Sequence, residues 1–163
     1  MTRIGCHPCG CERGRNDRYG RMLRPRSPLY SAAVKTTLVT LFQALADPTR
    51  LRLLNLMAAG GVCVCYFVEV FDEPQPKISR HLAYLRRAGL VTARRDGKWI
   101  HYSLAVPSDP AVAEVLRKVL EVASKERVMQ RDRSTLEHVC CAAKPPASLQ
   151  NAPKPELARP RAC

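Results

Sequence analysis

Apolar residues recur at helical spacing over residues 31–46, where Val34, Leu38, Leu41, Phe42 and Leu45 share one face. Asp47-Pro48 then supplies a favoured N-cap followed by a proline, whose missing N–H costs nothing at the first helical position. A second helix is expected over 48–58, burying Leu51, Leu54 and Met57 and ending at Gly60-Gly61. A short third helix fits 64–71, and Asp72-Glu73-Pro74 breaks the chain. A fourth helix fits 75–88, with Ile78, Leu82 and Leu85 inward and Gly89 closing it. Residues 90–95 and 98–104 read as strands around Asp96-Gly97, a strong hairpin signal. After Pro107, one long helix is expected over 109–129, with Val112, Val115, Leu116, Val119 and Val122 on one side. Beyond it the chain turns polar and proline-rich. One short helix fits 134–141, where Ser134 and Glu137 have capping-box spacing.

This order is mainly helical with a small β-hairpin wing, and it describes a winged helix-turn-helix. In that arrangement the second helix of the pair enters the major groove and the hairpin lies beside it. The apolar face of the fourth helix leaves Gln75, Lys77, Ser79, Arg80 and His81 outward near its N-terminal end. Such side chains read base edges: Arg or Lys to guanine, Gln to adenine, Ser to either. His81 fits packing or phosphate contact as well as base reading. Arg94, Arg95 and Lys98 flank the hairpin turn and suit phosphate contact, which positions without specifying. Basic faces alone usually mean solvated surface. Here they fall where a helix-turn-helix needs them.

Charge sharpens this picture. The 163 residues carry a net charge of +13, which points to a polyanionic partner. Residues 77–98 concentrate Lys77, Arg80, Arg86, Arg87, Arg94, Arg95 and Lys98 against one acid, Asp96. A second basic excess over 1–28 lies in sequence without apolar period. This is expected to be a disordered arm, with Met22 a second candidate start of translation. The expected organisation is therefore an arm over 1–28, a folded DNA-binding and dimerisation domain over 29–130, and a flexible tail over 131–163. No apolar run reaches the roughly 18–20 residues of a membrane span. The basic N-terminus also lacks the apolar stretch of a signal peptide, so a cytoplasmic protein with no membrane partner is expected.

Eight cysteines in a non-secreted chain imply reduced thiols, and clustered thiols imply metal or redox chemistry. Cys63 and Cys65 flank the start of the third helix, where the helix N-terminus favours thiolate. Residues i and i+2 do not share a helix face, so both sulfurs can grip one ion only if the helix start unwinds or adopts turn geometry. Soft thiolates select Zn, Cu(I), As(III) or Sb(III). Taken alone, a C-x-C reads as two small buried apolar residues. Catalysis is not expected. Cys9 and Arg15 have the spacing of a phosphatase-like loop, but no strand precedes them, and no Ser/His/Asp set, glycine-rich phosphate loop or carboxylate pair stands out.

Residues 41–104 resemble the ArsR/SmtB family of metal- and metalloid-responsive repressors. The resemblance rests on Leu45-Ala46-Asp47-Pro48-Thr49-Arg50, Cys63-Val64-Cys65, Gln75-Pro76-Lys77-Ile78-Ser79-Arg80-His81-Leu82 and Gly97-Lys98-Trp99-Ile100-His101-Tyr102. It implies a homodimer joined by its first and last helices. It also implies repression of double-stranded operator DNA in the apo state, and release on binding an inducer, here As(III) or Sb(III), with no organic cofactor. In the arsenic-sensing branch a third cysteine lies five residues after the first, where this chain has Val68. Cys140 or Cys141 are the first replacements to consider, then Cys6, Cys9 and Cys11. The ligands of the zinc-sensing branch are missing, since 109–129 contains no His. A thiol-redox or other soft-metal switch on the same fold is the alternative.

Overall fold

The computed structural model describes residues 36–142 and 144–155. The expected N-terminal arm, Cys6, Cys9, Cys11, Arg15 and Cys163 lie outside the described residues. The elements run α1 (Leu38–Leu45), α2 (Pro48–Met57), β1 (Val62–Cys63), α3 (Val64–Phe71), α4 (Gln75–Arg87), β2 (Val91–Asp96), β3 (Trp99–Leu104), α5 (Pro110–Ala123), α6 (Arg127–Cys141) and a 3-10 turn (Ala147–Leu149). This is the expected mainly helical winged helix-turn-helix, with three differences.

The first is a third strand. The sheet order is β1-β3-β2, with Val62 opposite Tyr102 and Cys63 opposite His101. The strand is two residues long, too short to show a period. Gly61 admits it: a Cβ there would meet Ser103 Oγ at 2.9 Å. The wing itself turns on Gly97-Lys98 rather than Asp96-Gly97. Asp96 pairs with Trp99, and Gly97 takes the positive φ of 56° that a tight hairpin requires.

The second difference is at the C-terminal end. The single helix expected over 109–129 is two, α5 and α6, separated at residues 124–126. There the Ser124 hydroxyl donates back to Glu121 O, and the Lys125 and Glu126 N–H groups close 3-10-like bonds. The short helix expected over 134–141 lies inside the 15-residue α6. Ser134 is mid-helix and caps nothing. Met129, Asp132, Leu136 and Cys140 form the buried face of α6, so much of the expected flexible tail packs on the core. The stripe is interrupted by a carboxylate, which hid the period.

The third difference concerns the outer helices. Leu41 of α1 and Val112 and Leu116 of α5 are buried as patterned, and Leu120 of α5 is buried with them. Leu38, Phe42 and Val122, which share those apolar faces, are 46%, 54% and 64% exposed.

The core lies around α2, which touches α1, α4, α5, α6 and β3. Its Asp47 N-cap accepts from Arg50 N at 2.8 Å, as the Asp-Pro signal predicts. Leu53, Leu54, Ile78, Leu82, Leu85 and Leu90 are fully buried. Gly89, at φ 73°, ends α4 with paired bonds from Leu90 N to Leu85 O and Gly89 N to Arg86 O, the Schellman pattern.

Candidate nucleic-acid face and thiol site

The α3–turn–α4 unit places the predicted reading residues together. Asp72 ends α3 in the left-handed region, at φ 51°, and α4 leaves at a new angle after Pro74. Ile78, Leu82 and Leu85 anchor α4 on its inner side. That leaves Gln75, Lys77 and Arg80 exposed and Ser79 half-buried. Lys77 pairs with Glu73 at 2.6 Å, and Arg80 Nε donates to Pro76 O. These are solvent-level contacts that a polyanion can displace. His81 turns back instead: it is half-buried, with Nδ1 3.5 Å from Asp47 Oδ1 at the α2 N-cap. On the wing, Arg94, Arg95 and Lys98 are all exposed. Arg95 Nε donates to Gly97 O, and the Lys98 ammonium lies 4.9 Å from the Trp99 ring centre.

Arg50, named above only within a motif, and Arg52, which the sequence did not single out, hold this face in place. Arg50 donates to Ala44 O and Gln43 O, closing the end of α1, while its guanidinium lies 4.2 Å over the Tyr84 ring of α4. Arg52 makes a bidentate pair with Asp132 of α6 at 2.6 and 2.7 Å and lies 4.2 Å over the Phe71 ring of α3. Asp132 is nearly fully buried, and the pair holds the Arg52 guanidinium above its usual range. One cation thus ties α2, α3 and α6. No pattern in the sequence pairs positions 80 residues apart.

The thiol site lies directly before the reading helix. Cys63 is both the last residue of β1 and the N-cap of α3, with extended backbone angles (φ −72°, ψ 145°). That extended residue swings its side chain back over the first turn of α3. The two sulfurs then stand 2.9 Å apart, with the Cys65 thiol donating to Cys63 Sγ. The unwinding expected from i, i+2 spacing is therefore already built in. The Cys65 hydrogen bond holds the Cys63 thiol down, to about 6, against the opposing effect of burial, and the backbone N–H groups of Cys65, Ile100 and Val64 assist. Cys65 is pushed up by the same shared proton. The shared proton thus favours the singly ionised form of the pair.

Cys140 and Cys141 sit at the other end of α6. Cys140 is buried and Cys141 exposed. Burial first, then the neighbouring Cys141, pushes the Cys140 thiol up to about 11, with Lys154 acting in the opposite sense. Tyr66 of α3 lies among these groups. Its phenol is pushed up to about 12, mainly by burial and then by Cys140, Cys65 and Cys63. Among the described residues no three His, Cys, Asp or Glu side chains are close enough together to hold an ion. The structure brings Cys63 and Cys65 together. It leaves Cys140 and Cys141 apart from them.

The sequence profile described as "Bacterial regulatory protein, arsR family" matches residues 47–93. An arsenical resistance operon repressor of Escherichia coli is 50% identical over 76 residues, covering 46% of this chain and 64% of that protein. The chain thus spans just under two thirds of that relative. An arsenic resistance transcriptional regulator of Pseudomonas putida is 38% identical over 108 residues, covering 61% of this chain and 94% of its own length. A probable mercury resistance operon repressor of Streptomyces lividans is 44% identical over 80 residues, covering 49% and 62%. These relatives are named as transcriptional regulators, not enzymes.

Proposed function

The chain belongs to the arsR family of bacterial regulatory proteins, and on that premise we propose that it is a cytoplasmic, homodimeric repressor that releases operator DNA when its thiols bind As(III) or Sb(III). The observation that carries the reading is the Cys63–Cys65 pair, with sulfurs 2.9 Å apart, at the start of the helix that precedes the reading helix.

Gln75, Lys77, Ser79 and Arg80 enter the major groove, with Arg94, Arg95 and Lys98 on phosphates and His81 set by Asp47. The basic residues of the stretch 1–28 add non-specific attraction to DNA. A second copy covers Leu38, Val39 and Phe42 of α1 and Val122 of α5, an apolar set that a monomer leaves in water. This spaces the two reading helices for successive major grooves.

The residues present fit a soft inducer in part. Cys63 and Cys65 supply two sulfurs, one already ionised near neutral pH, and an As(III) or Sb(III) centre offers strong bonds to soft thiolates. We assign the third sulfur to Cys140, which approaches the pair only if α3 and α6 shift around Tyr66; Cys141, exposed, is the lesser candidate. That shift moves α4 and costs the dimer its matched spacing. A coupling of about 1–3 kcal/mol would weaken operator binding roughly 5–150-fold.

Fluorescence anisotropy of the reduced protein on the DNA upstream of its own coding sequence tests this, titrated with As(III), for wild type and Cys63→Ser. Release of wild type but not of the variant supports the reading. Unchanged affinity at saturating As(III) overturns the inducer and leaves DNA binding standing. A second reading, favoured by the contact between the two sulfurs and by the mercury-repressor relative, makes the inducer a soft divalent metal or an oxidant. Release by Hg(II), or by peroxide with reversal by a thiol reductant, would select it.

A further inference from the structure

The segment following α6 turns back on the molecule. α6 ends at Cys141 with Ala142 extended, and after Pro145-Pro146 a 3-10 turn at Ala147–Leu149 follows, closed by Leu149 N to Pro146 O at 2.8 Å. Asn151 adopts the left-handed region at φ 64°, and Ala152 N donates to Leu149 O. Four prolines, at 145, 146, 153 and 155, restrict the open chain, so few contacts suffice to seat it.

Those contacts are specific. Leu149 is 2% exposed and belongs to the same buried cluster as Leu136 and Cys140 of α6 and Phe67 of α3. Ala152 packs against that cluster, and Pro155 is buried. Ser148 Oγ hydrogen-bonds Glu69 of α3. Glu69 lies one turn beyond Cys65, on the same face of α3. Lys154 stands near enough to Cys140 for its charge to act on the sulfur. The segment therefore leads from the C-terminal end of α6 back onto α3, where the 3-10 turn packs.

We propose that residues 144–155 form a lid that clasps α3 to α6 and shields the Cys140 thiol, so that soft electrophiles reach Cys140 only when the lid opens. Leu149, Ala152, Pro155 and one side-chain hydrogen bond are few anchors for twelve residues, and such a unit opens without global unfolding. The bearing on induction rests on the function proposed above: opening would free the third sulfur and unlatch α3. The lid itself does not depend on that reading.

The test is site-resolved alkylation by iodoacetamide, followed by mass spectrometry, on the reduced full chain and its Leu149→Ser and Ser148→Ala variants. Leu149→Ser should speed alkylation of Cys140 by about tenfold or more, and Ser148→Ala severalfold, if opening is local. The exposed Cys141 should react at the wild-type rate in all three. Unchanged Cys140 rates in both variants overturn the lid. So does a parallel rise at Cys63 and Cys65 in Leu149→Ser with no change in Ser148→Ala, which would mean general loosening. An As(III) titration of the same variants on DNA separates the two ideas. Faster Cys140 alkylation without any As(III) response in wild type keeps the lid and fails the inducer.

Discussion

The chain carries two close pairs of cysteines in its described part, and they differ in almost every physical respect. Cys63 and Cys65 stand at a helix N-terminus, where an extended cap residue folds one sulfur onto the other and backbone N–H groups face the charge. Cys140 and Cys141 stand at a helix C-terminus. Adjacent residues there diverge, one into the core and one into water. In the first pair the Cys63 thiol is held down to about 6 by the Cys65 hydrogen bond; burial pushes the Cys140 thiol up. Thiol ionisation thus follows the place on the helix and the direction of the cap, not the number of sulfurs or their spacing in the chain.

The comparison can be broken most forcefully at Asp132. Its loss strips Arg52 of a bidentate, largely buried partner and frees α6, so Asp132→Ala should cost about 2–3 kcal/mol in urea unfolding. The Cys140 end should loosen while the Cys63–Cys65 contact persists. A variant as stable as wild type would mean that Arg52 does not hold α6.

Next in size is the functional contrast. Cys63→Ser should abolish the As(III) response, a loss of about 1–3 kcal/mol of coupling, while Cys140→Ser weakens it and Cys141→Ser leaves it unchanged in anisotropy titrations. Equal effects of Cys63→Ser and Cys141→Ser would erase the distinction between the pairs.

Acid and base should separate them further. The depressed Cys63 value means its thiolate stabilises the fold above the ordinary thiol range, a contribution lost as pH falls through about 6. The raised Cys140 value has the opposite sign: its neutral thiol contributes below the ordinary range, and that is lost as pH rises through about 11. Thiolate ultraviolet absorbance of Cys63→Ser and Cys140→Ser should show the low step missing in the first and the high step missing in the second. Both steps surviving in either variant would contradict the assignment.

The smallest effect is expected on the wing. Arg94→Ala should reduce the salt slope of DNA binding by about 1 and weaken all sequences alike, since a phosphate contact carries no base information. It should leave both thiol pairs untouched.

The stretch from α2 through α4 was legible in the sequence because its signals are local. The Asp47-Pro48 cap, the stop at Gly89 and the apolar stripe of α4 each act within one or two turns, and each forms as patterned. The C-terminal half was not. Asp132 looks like a solvent residue unless Arg52, on another helix, is known to meet it. Leu149 looks like part of a polar tail unless the cluster it enters is known. Likewise Leu38, Phe42 and Val122 share the apolar period but not the burial.

What the sequence determined by itself was therefore the run of helices α1 to α4, the hairpin after them and the presence of a thiol pair before α4. All of these follow from periodicity, caps and turns within short stretches. The tertiary structure alone decided that Cys63 is a strand residue bent onto Cys65, that α6 belongs to the core, and that the chain returns to cover it. Those outcomes depend on pairings between distant segments. Chain pattern encodes which side of a helix is apolar, and only packing reveals what that side meets.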